Sequence, residues 1–375
     1  MKLVFASDSF KGSLTSKKIA EILTKASNDV FGKCDTVPLV IADGGEGTLD
    51  AVMEIMGGRK IPVTVHDPLM NEITAYYGSL DSKTALIEMA QASGITLVPQ
   101  DKRDPLNTSS IGTGELVRAA LKDGHRDLII AIGGSATNDG GMGAAGALGI
   151  RFYDKDGKEL EGKGKDLGAV YDIDMEGLIH ETGQARITVM CDVTNPLCGP
   201  GGASRVFGPQ KGAGEETIGI LEDGMQRYRL VILKSFGTDP DDIPGAGAAG
   251  GMGAALKIFL NAELKSGIDT LLDLCGFDNL IKDADMIITG EGRLDGQSSG
   301  GKAVRGVAIR AQKAGVPCIA LCGCLGDGYE TISRYGITCI ETLTSDNIDI
   351  EYAIEHAEEL YYQKAVNILQ RYKNR

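Results

Sequence analysis

The sequence predicts an α/β protein of two domains, one with a mostly parallel, Rossmann-like sheet and a second, mixed-sheet domain inserted into it. Three observations carry this. Short apolar runs alternate with segments of helical periodicity, the pattern of successive βαβ units. That rhythm is clear at both ends of the chain and breaks between about residues 71 and 100. At 375 residues the chain is also too long for a single small core.

In chain order, Leu3–Ala6 reads as a strand, and Ile19, Ile22, Leu23 and Ala26 recur at helical spacing behind Ser13 or Thr15 as a cap. Val37–Ile41 is the next strand, followed by a glycine-rich turn and a helix through Val52, Ile55 and Met56. Thr74–Leu80 and Thr84–Met89 read as neighbouring strands of a different, mixed sheet. A helix around Gly114–Lys122 and buried strands at Leu128–Ile132 and Ile187–Cys191 follow, with Asp154–Gly168 between them as a surface loop. From Met286 the alternation returns: strands at Met286–Thr289, Cys318–Cys322 and Ile337–Glu341, helices at Lys302–Ala314 and Tyr329–Tyr335, and a terminal helix over 351–372. The expected organisation is a discontinuous first domain, 1–70 with 283–375, and an inserted domain, 71–282, with a cleft between them holding the active site.

Composition excludes several functions. The net charge is −14 and no basic run interleaves with aromatics, so nucleic acid is not an expected partner. No stretch reaches the apolar length of a membrane span, and the four-residue apolar run before Ser7 is too short for a secretory signal. The eight cysteines are scattered, which points to buried reduced thiols in a cytoplasmic protein. Glycine is the outlier: 52 residues, roughly double its usual share, in aperiodic clusters that suit loops approaching a ligand.

Those clusters sit where chemistry is expected. Asp8, Asp43, Asp192 and Glu291 each follow a predicted strand closely, and in open α/β sheets ligands collect beyond the carboxyl ends of strands. Asp8-Ser9-Phe10-Lys11 brings a cation near a helix start. Asp43-Gly44-Gly45-Glu46-Gly47 can turn sharply and present N–H groups to an oxyanion. Gly133-Gly134-Ser135-Ala136-Thr137 packs hydroxyls and glycines directly behind a strand. Asp192 precedes Asn195, and Arg293 lies between Glu291 and Asp295. Gly-Gly-Met-Gly-Ala-Ala occurs at 140–145 and again at 250–255, which two glycine-rich helix starts facing one cleft would explain, as would coincidence in an Ala/Gly-rich chain.

Two familiar templates fail on context. The GxGxxG matches at Gly141 and Gly245 do not open a strand-to-helix turn, and Gly296–Ala303 is one residue short of a P-loop and ends in alanine. The four histidines lie outside every cluster, which argues against a Ser/His hydrolase. Carboxylates, a few cations and glycine loops match phosphoryl transfer, in which the protein positions two substrates and Mg²⁺ while one carboxylate takes a proton.

Residues 3–15 (LVFASDSFKGSLT), 42–48 (ADGGEGT), 132–149 (IGGSATNDGGMGAAGALG), 191–212 (CDVTNPLCGPGGASRVFGPQKG), 245–256 (GAGAAGGMGAAL) and 285–301 (DMIITGEGRLDGQSSGG) resemble the bacterial type I glycerate kinases, in order and across almost the whole chain. The resemblance implies ATP- and Mg²⁺-dependent phosphorylation of D-glycerate, usually at the 2-hydroxyl to give 2-phosphoglycerate, with the 3-hydroxyl as the alternative. It also implies small-molecule partners, D-glycerate and MgATP; the oligomeric state stays open, a homodimer being one option. An NAD-dependent hydroxy-acid dehydrogenase and a non-enzymatic metabolite sensor are the remote rivals.

The expected roles follow. Asp192 is the first choice for general base, with Asp43 and Asp8 as rivals, and Lys11 and Asp43 complete the catalytic set. Asp8, Ser9, Lys11, Gly44, Gly45, Glu46, Asn195 and Arg293 are the candidate glycerate contacts. Gly133, Gly134, Ser135, Thr137, Gly247, Gly250, Gly251 and Glu291 are those for the nucleotide. Asp43 and Asp192 are the candidate Mg²⁺ ligands. Which glycine loop takes which substrate stays open.

Overall fold

The computed structural model describes residues 1–10, 12–41, 45–296 and 302–374. Lys11, Asp43 and Gly44, and most of the P-loop-like stretch after Gly296, lie outside the described residues. The chain divides into two units, Met1–Asp43 with Ile268–Arg375, and Gly44–Gly267.

The first unit is built on a five-stranded, wholly parallel sheet in the order Ile337–Thr342, Cys318–Cys322, Met286–Gly290, Lys2–Ser7, Asp35–Val40. Its inner strands read as continuous apolar runs because both faces are covered. Pro38, which cannot donate to a ladder, sits on an edge strand. Helix Ser16–Phe31 starts at Thr15, whose hydroxyl accepts the Lys18 N–H at 3.2 Å, and buries Ile19, Ile22, Leu23 and Ala26. It packs with Leu3, Phe5, Tyr361 and Leu369 in one core, each fully buried leucine or phenylalanine contributing about 1.5–3 kcal/mol. Cys318 and Cys322 are buried in their strand, and burial pushes the Cys322 thiol up to about 12 and Cys318 higher still. Neither is a reactive thiol at neutral pH.

The second unit carries a six-stranded mixed sheet in the order Glu263–Lys265, Arg186–Met190, Asp127–Ala131, Thr84–Glu88, Glu72–Ser79, Arg59–His66. The first four strands run parallel, and Glu72–Ser79 runs antiparallel to both its neighbours, Thr84–Glu88 and Arg59–His66. Its core is the larger and gathers Ile87, Leu116, Ile130, Val189, Met225, Tyr228 and Phe259.

The sequence placed the domain seams near 70 and 283; the division falls at 43/44 and 267/268. Residues 44–70 go with the second unit because Arg59–His66 pairs with Glu72–Ser79 along its whole length. Residues 268–283 go with the first, where Ile268 packs against Gly306 of the helix Lys302–Ala314. The stretch 154–168 also differs from the surface loop expected of it. It leads into a 3-10 turn, Gly164–Ala169, which packs on the helix Glu215–Phe236 and buries Leu167 completely. Among the described residues no helix is long and apolar enough to cross a membrane.

Candidate functional site

In the second unit the parallel strands align Met190, Ala131 and Glu88 in register, so the segments leaving them stand side by side about 5 Å apart. They are Asp192, the Gly133–Asp139 loop, and the turn beginning at Met89. The loop is fastened from one side: Ile95 N–H donates to the Gly134 carbonyl and Ala136 N–H to that of Ser93. Gly134 is exposed, with φ 73°. The N–H groups of Gly133, Gly134 and Ser135 have no acceptor among the described residues. Three successive donors at a strand end form a concavity suited to a phosphate or carboxylate oxygen.

Thr137, Asn138 and Asp139 continue inward and are fully buried. Asp139 accepts from the Ser110 N–H (2.8 Å) and hydroxyl (2.7 Å) and from the N–H groups of Gly141 (3.0 Å) and Gly143 (3.3 Å). Lys211, equally buried, donates to the Thr137 carbonyl at 2.6 Å. Burial pushes the lysine down to about 7, opposed by the nearby Asp139 charge, and burial pushes Asp139 up. Sequence reasoning missed Lys211, since nothing in a polar, glycine-rich stretch marks a lysine for the interior.

The two Gly-Gly-Met-Gly-Ala-Ala segments pack against each other. Gly140 N–H donates to the Gly250 carbonyl at 2.9 Å. A side chain at Gly250 would meet the Thr137 carbonyl at 2.2 Å, and one at Gly251 the Cα of Gly140 at 2.7 Å. Gly247 is pressed on the Pro196 carbonyl and donates to the Asn195 carbonyl. Thr137, Gly250 and Gly251 therefore lie beneath the loop, and Gly247 lies against the Asn195–Pro196 segment. Asn195, expected as a substrate contact, donates one side-chain N–H to the Gly201 carbonyl at 2.8 Å.

Gly45-Glu46-Gly47 stands beside the same loop, the Glu46 N lying 3.9 Å from where a Gly134 side chain would begin. One of the N–H donors expected to meet an oxyanion here, that of Gly47, is met by the protein. Glu88 accepts from Gly47 N–H (3.1 Å) and Leu49 N–H (2.7 Å) and so caps the helix Thr48–Met56. What the turn offers outward is the exposed Glu46. Glu88 is buried, and burial raises its carboxyl. It ends a strand as the four nominated acids do, but a predicted strand running on to Met89 hid it. Asp192, half-buried, accepts the Gly267 N–H on Oδ1 at 3.0 Å.

In the first unit, register pairing of Ser7 with Gly290 sets Asp8 beside Glu291. Asp8 N–H donates to the Gly290 carbonyl at 2.8 Å, and Ser9 N–H returns to Asp8 Oδ1 at 2.6 Å. Glu291 Oε1 is buried without a hydrogen-bond partner among the described residues. Burial first, then Asp8 and Asp295, push its carboxyl up to about 8. Arg293 is exposed, 3.6 Å from Asp295, and Gly326 leaves room for both side chains. Of the nominated acids, the structure thus joins Asp8 to Glu291 in one unit and places Asp192 with the glycine loop in the other.

Comparison with known proteins places the chain in a family. Residues 3–373 match the model of the Glycerate kinase family. The Glycerate 2-kinase of Escherichia coli K12 is 47% identical over 347 residues, covering 92% of this chain and 91% of that protein. The Glycerate kinase of Bacillus subtilis 168 is 42% identical over 369 residues, 98% and 97% of the two chains. The crystal structure of a Salmonella typhimurium LT2 protein provisionally named glycerate kinase 2 superposes with a TM-score of 0.87 at 42% identity, covering 100% of this chain and 98% of that one.

Proposed function

The chain belongs to the glycerate kinase family and phosphorylates glycerate with ATP as donor, and we propose that the phosphoryl group goes to the 2-hydroxyl of D-glycerate, giving 2-phosphoglycerate and ADP. The 2-position is supported by the name of the Escherichia coli relative, Glycerate 2-kinase. The observation that carries the mechanism is the row of donors at Gly133, Gly134 and Ser135 beside the Asp192 carboxylate.

In this reading Asp192 accepts the hydroxyl proton as the oxygen attacks the γ-phosphorus. The bond from Gly267 N–H fixes its orientation. Gly133, Gly134 and Ser135 hold anionic oxygens of the nucleotide, while Thr137, Gly250 and Gly251 support them from beneath. Glu46, with Gly44 and Gly45, borders the glycerate position. Asp8, Ser9, Lys11 and Arg293 serve the substrate carboxylate and the transferring group, Lys11 and Arg293 supplying positive charge. Glu291, largely protonated at pH 7, donates a hydrogen bond on the nucleotide side.

Mg²⁺ is part of the same proposal. Among the described residues no group of three or more His, Cys, Asp or Glu could hold a metal ion. Mg²⁺ keeps its waters and usually takes one or two carboxylates together with substrate phosphates. Asp43, with Asp192 as the alternative, would hold it, and the bound ion would neutralise charge on the phosphates. A cytoplasmic setting accords with eight cysteines that all carry thiols.

The test is ³¹P NMR of the product formed from MgATP and D-glycerate. The reading expects ADP and the resonance of 2-phosphoglycerate; 3-phosphoglycerate as the product would overturn the assignment of the hydroxyl.

A further inference from the structure

The helix Glu215–Phe236 buries Ile218, Leu221, Met225, Tyr228 and Ile232 and leaves its other face in solvent. Along that face, at alternating steps of four and three, run Glu216, Ile220, Asp223, Arg227, Leu230 and Lys234, all exposed. Ile220 and Leu230 are 51% and 61% exposed, and Leu233 beside them 37%. An ordinary solvated face has no need of three large aliphatic side chains on one helix.

The order of the stripe is acid, apolar, acid, base, apolar, base. It is its own complement when reversed. A second copy laid antiparallel across a two-fold axis at Met225 sets Glu216 against Lys234, Ile220 against Leu230, and Asp223 against Arg227, each pair occurring twice. A two-fold interface must be self-complementary in this way, because the same patch serves both partners. The parallel arrangement would oppose like charges at every charged position and is disfavoured.

We propose that the helix Glu215–Phe236 is a homodimer interface that pairs antiparallel with the same helix of a second copy. Ile220 and Leu230 supply the buried apolar contact. The flanking charges, remaining near solvent, contribute little affinity and fix direction and register. A stripe about 27 Å long and about 10 Å wide covers about 270 Å² on each partner, below the roughly 1,200 Å² in total that a standard specific interface buries, so the dimer is weak and depends on concentration.

Sedimentation equilibrium of the full chain from about 1 to about 100 μM tests this. Wild type should reach a dimer, more weakly in high salt, and L230E should raise the dissociation constant at least about tenfold. D223R and R227D should each weaken association, and the double variant D223R/R227D should restore it, because the reversed charges meet again across the axis. Arg227 also donates to the Gly168 carbonyl at 3.4 Å, so E216K/K234E serves as a second exchange free of that contact. Glycerate kinase activity, which does not use this face, reports that each variant is folded. A wild type that stays monomeric, an L230E dimer as tight as wild type, or both double variants no better than their single parents would overturn the proposal.

Discussion

Lys211 Nζ donates to the Thr137 carbonyl at 2.6 Å, with both side chains out of solvent. The bond ties the underside of the Gly133–Ser135 loop to a residue 74 positions away. Beside it Asp139 holds the following turn through Gly141 and Gly143 N–H and ties it to Ser110 through two further bonds. The donors that face outward thus rest on a buried polar network, and buried networks lose most when one partner is removed.

Lys211 should make stability rise with pH in alkali. Its amine titrates near 10.5 when exposed and at about 7 when folded, so between those values the unfolded chain binds more protons than the native one. Urea midpoints should therefore increase from pH about 8 to pH about 10, by at most about 1.4 kcal/mol per pH unit. K211M, which keeps Asp139 in place, should lack this rise; an equal rise in the variant would contradict it.

Glu291 should act in the opposite sense over a lower window. Its carboxyl moves from 4.5 to about 8 on folding, so across that range the native state binds more protons. Wild-type stability should fall as pH rises through it, and E291Q, unable to ionise, should show a flatter profile in the same denaturation series. An E291Q profile parallel to wild type would be the contrary result.

Glu88 should matter more to folding than to the chemical step. E88A leaves the Gly47 and Leu49 N–H groups without their acceptor, at a cost of about 1–3 kcal/mol. Because Glu46 sits in the turn that Glu88 holds, KM for glycerate should rise while kcat changes less. Calorimetry and steady-state kinetics on the one variant measure both effects.

The glycine at 250 should be irreplaceable, and the glycine at 57 should not. Both have φ above 70°, but a side chain at Gly250 would meet the Thr137 carbonyl at 2.2 Å, whereas nothing lies within 4 Å of one at Gly57. G57A should cost about 1 kcal/mol from backbone strain alone. G250A should be poorly soluble or destabilised beyond about 3 kcal/mol, as chemical denaturation would show.

The parallel sheet of the first unit was legible because its inner strands, covered on both faces, are unbroken apolar runs such as Leu3–Ala6. Arg59–His66 was not, since an edge strand tolerates Pro62 and charged residues that argue against a strand when met in sequence. Asp8, Glu291 and Asp192 could be nominated from their placement after strands. Glu88 shares that placement but was counted inside a strand, and the bond from Lys211 to Thr137 has no local signature.

The most direct test of the mechanism is the turnover of D192N with saturating MgATP and D-glycerate. Asparagine keeps the oxygen that meets Gly267 N–H but is a far weaker base, so the fold should survive while kcat falls between about 100-fold and about 10,000-fold. A folded D192N enzyme with kcat close to that of wild type would remove Asp192 from proton transfer and leave the proposed mechanism without its base.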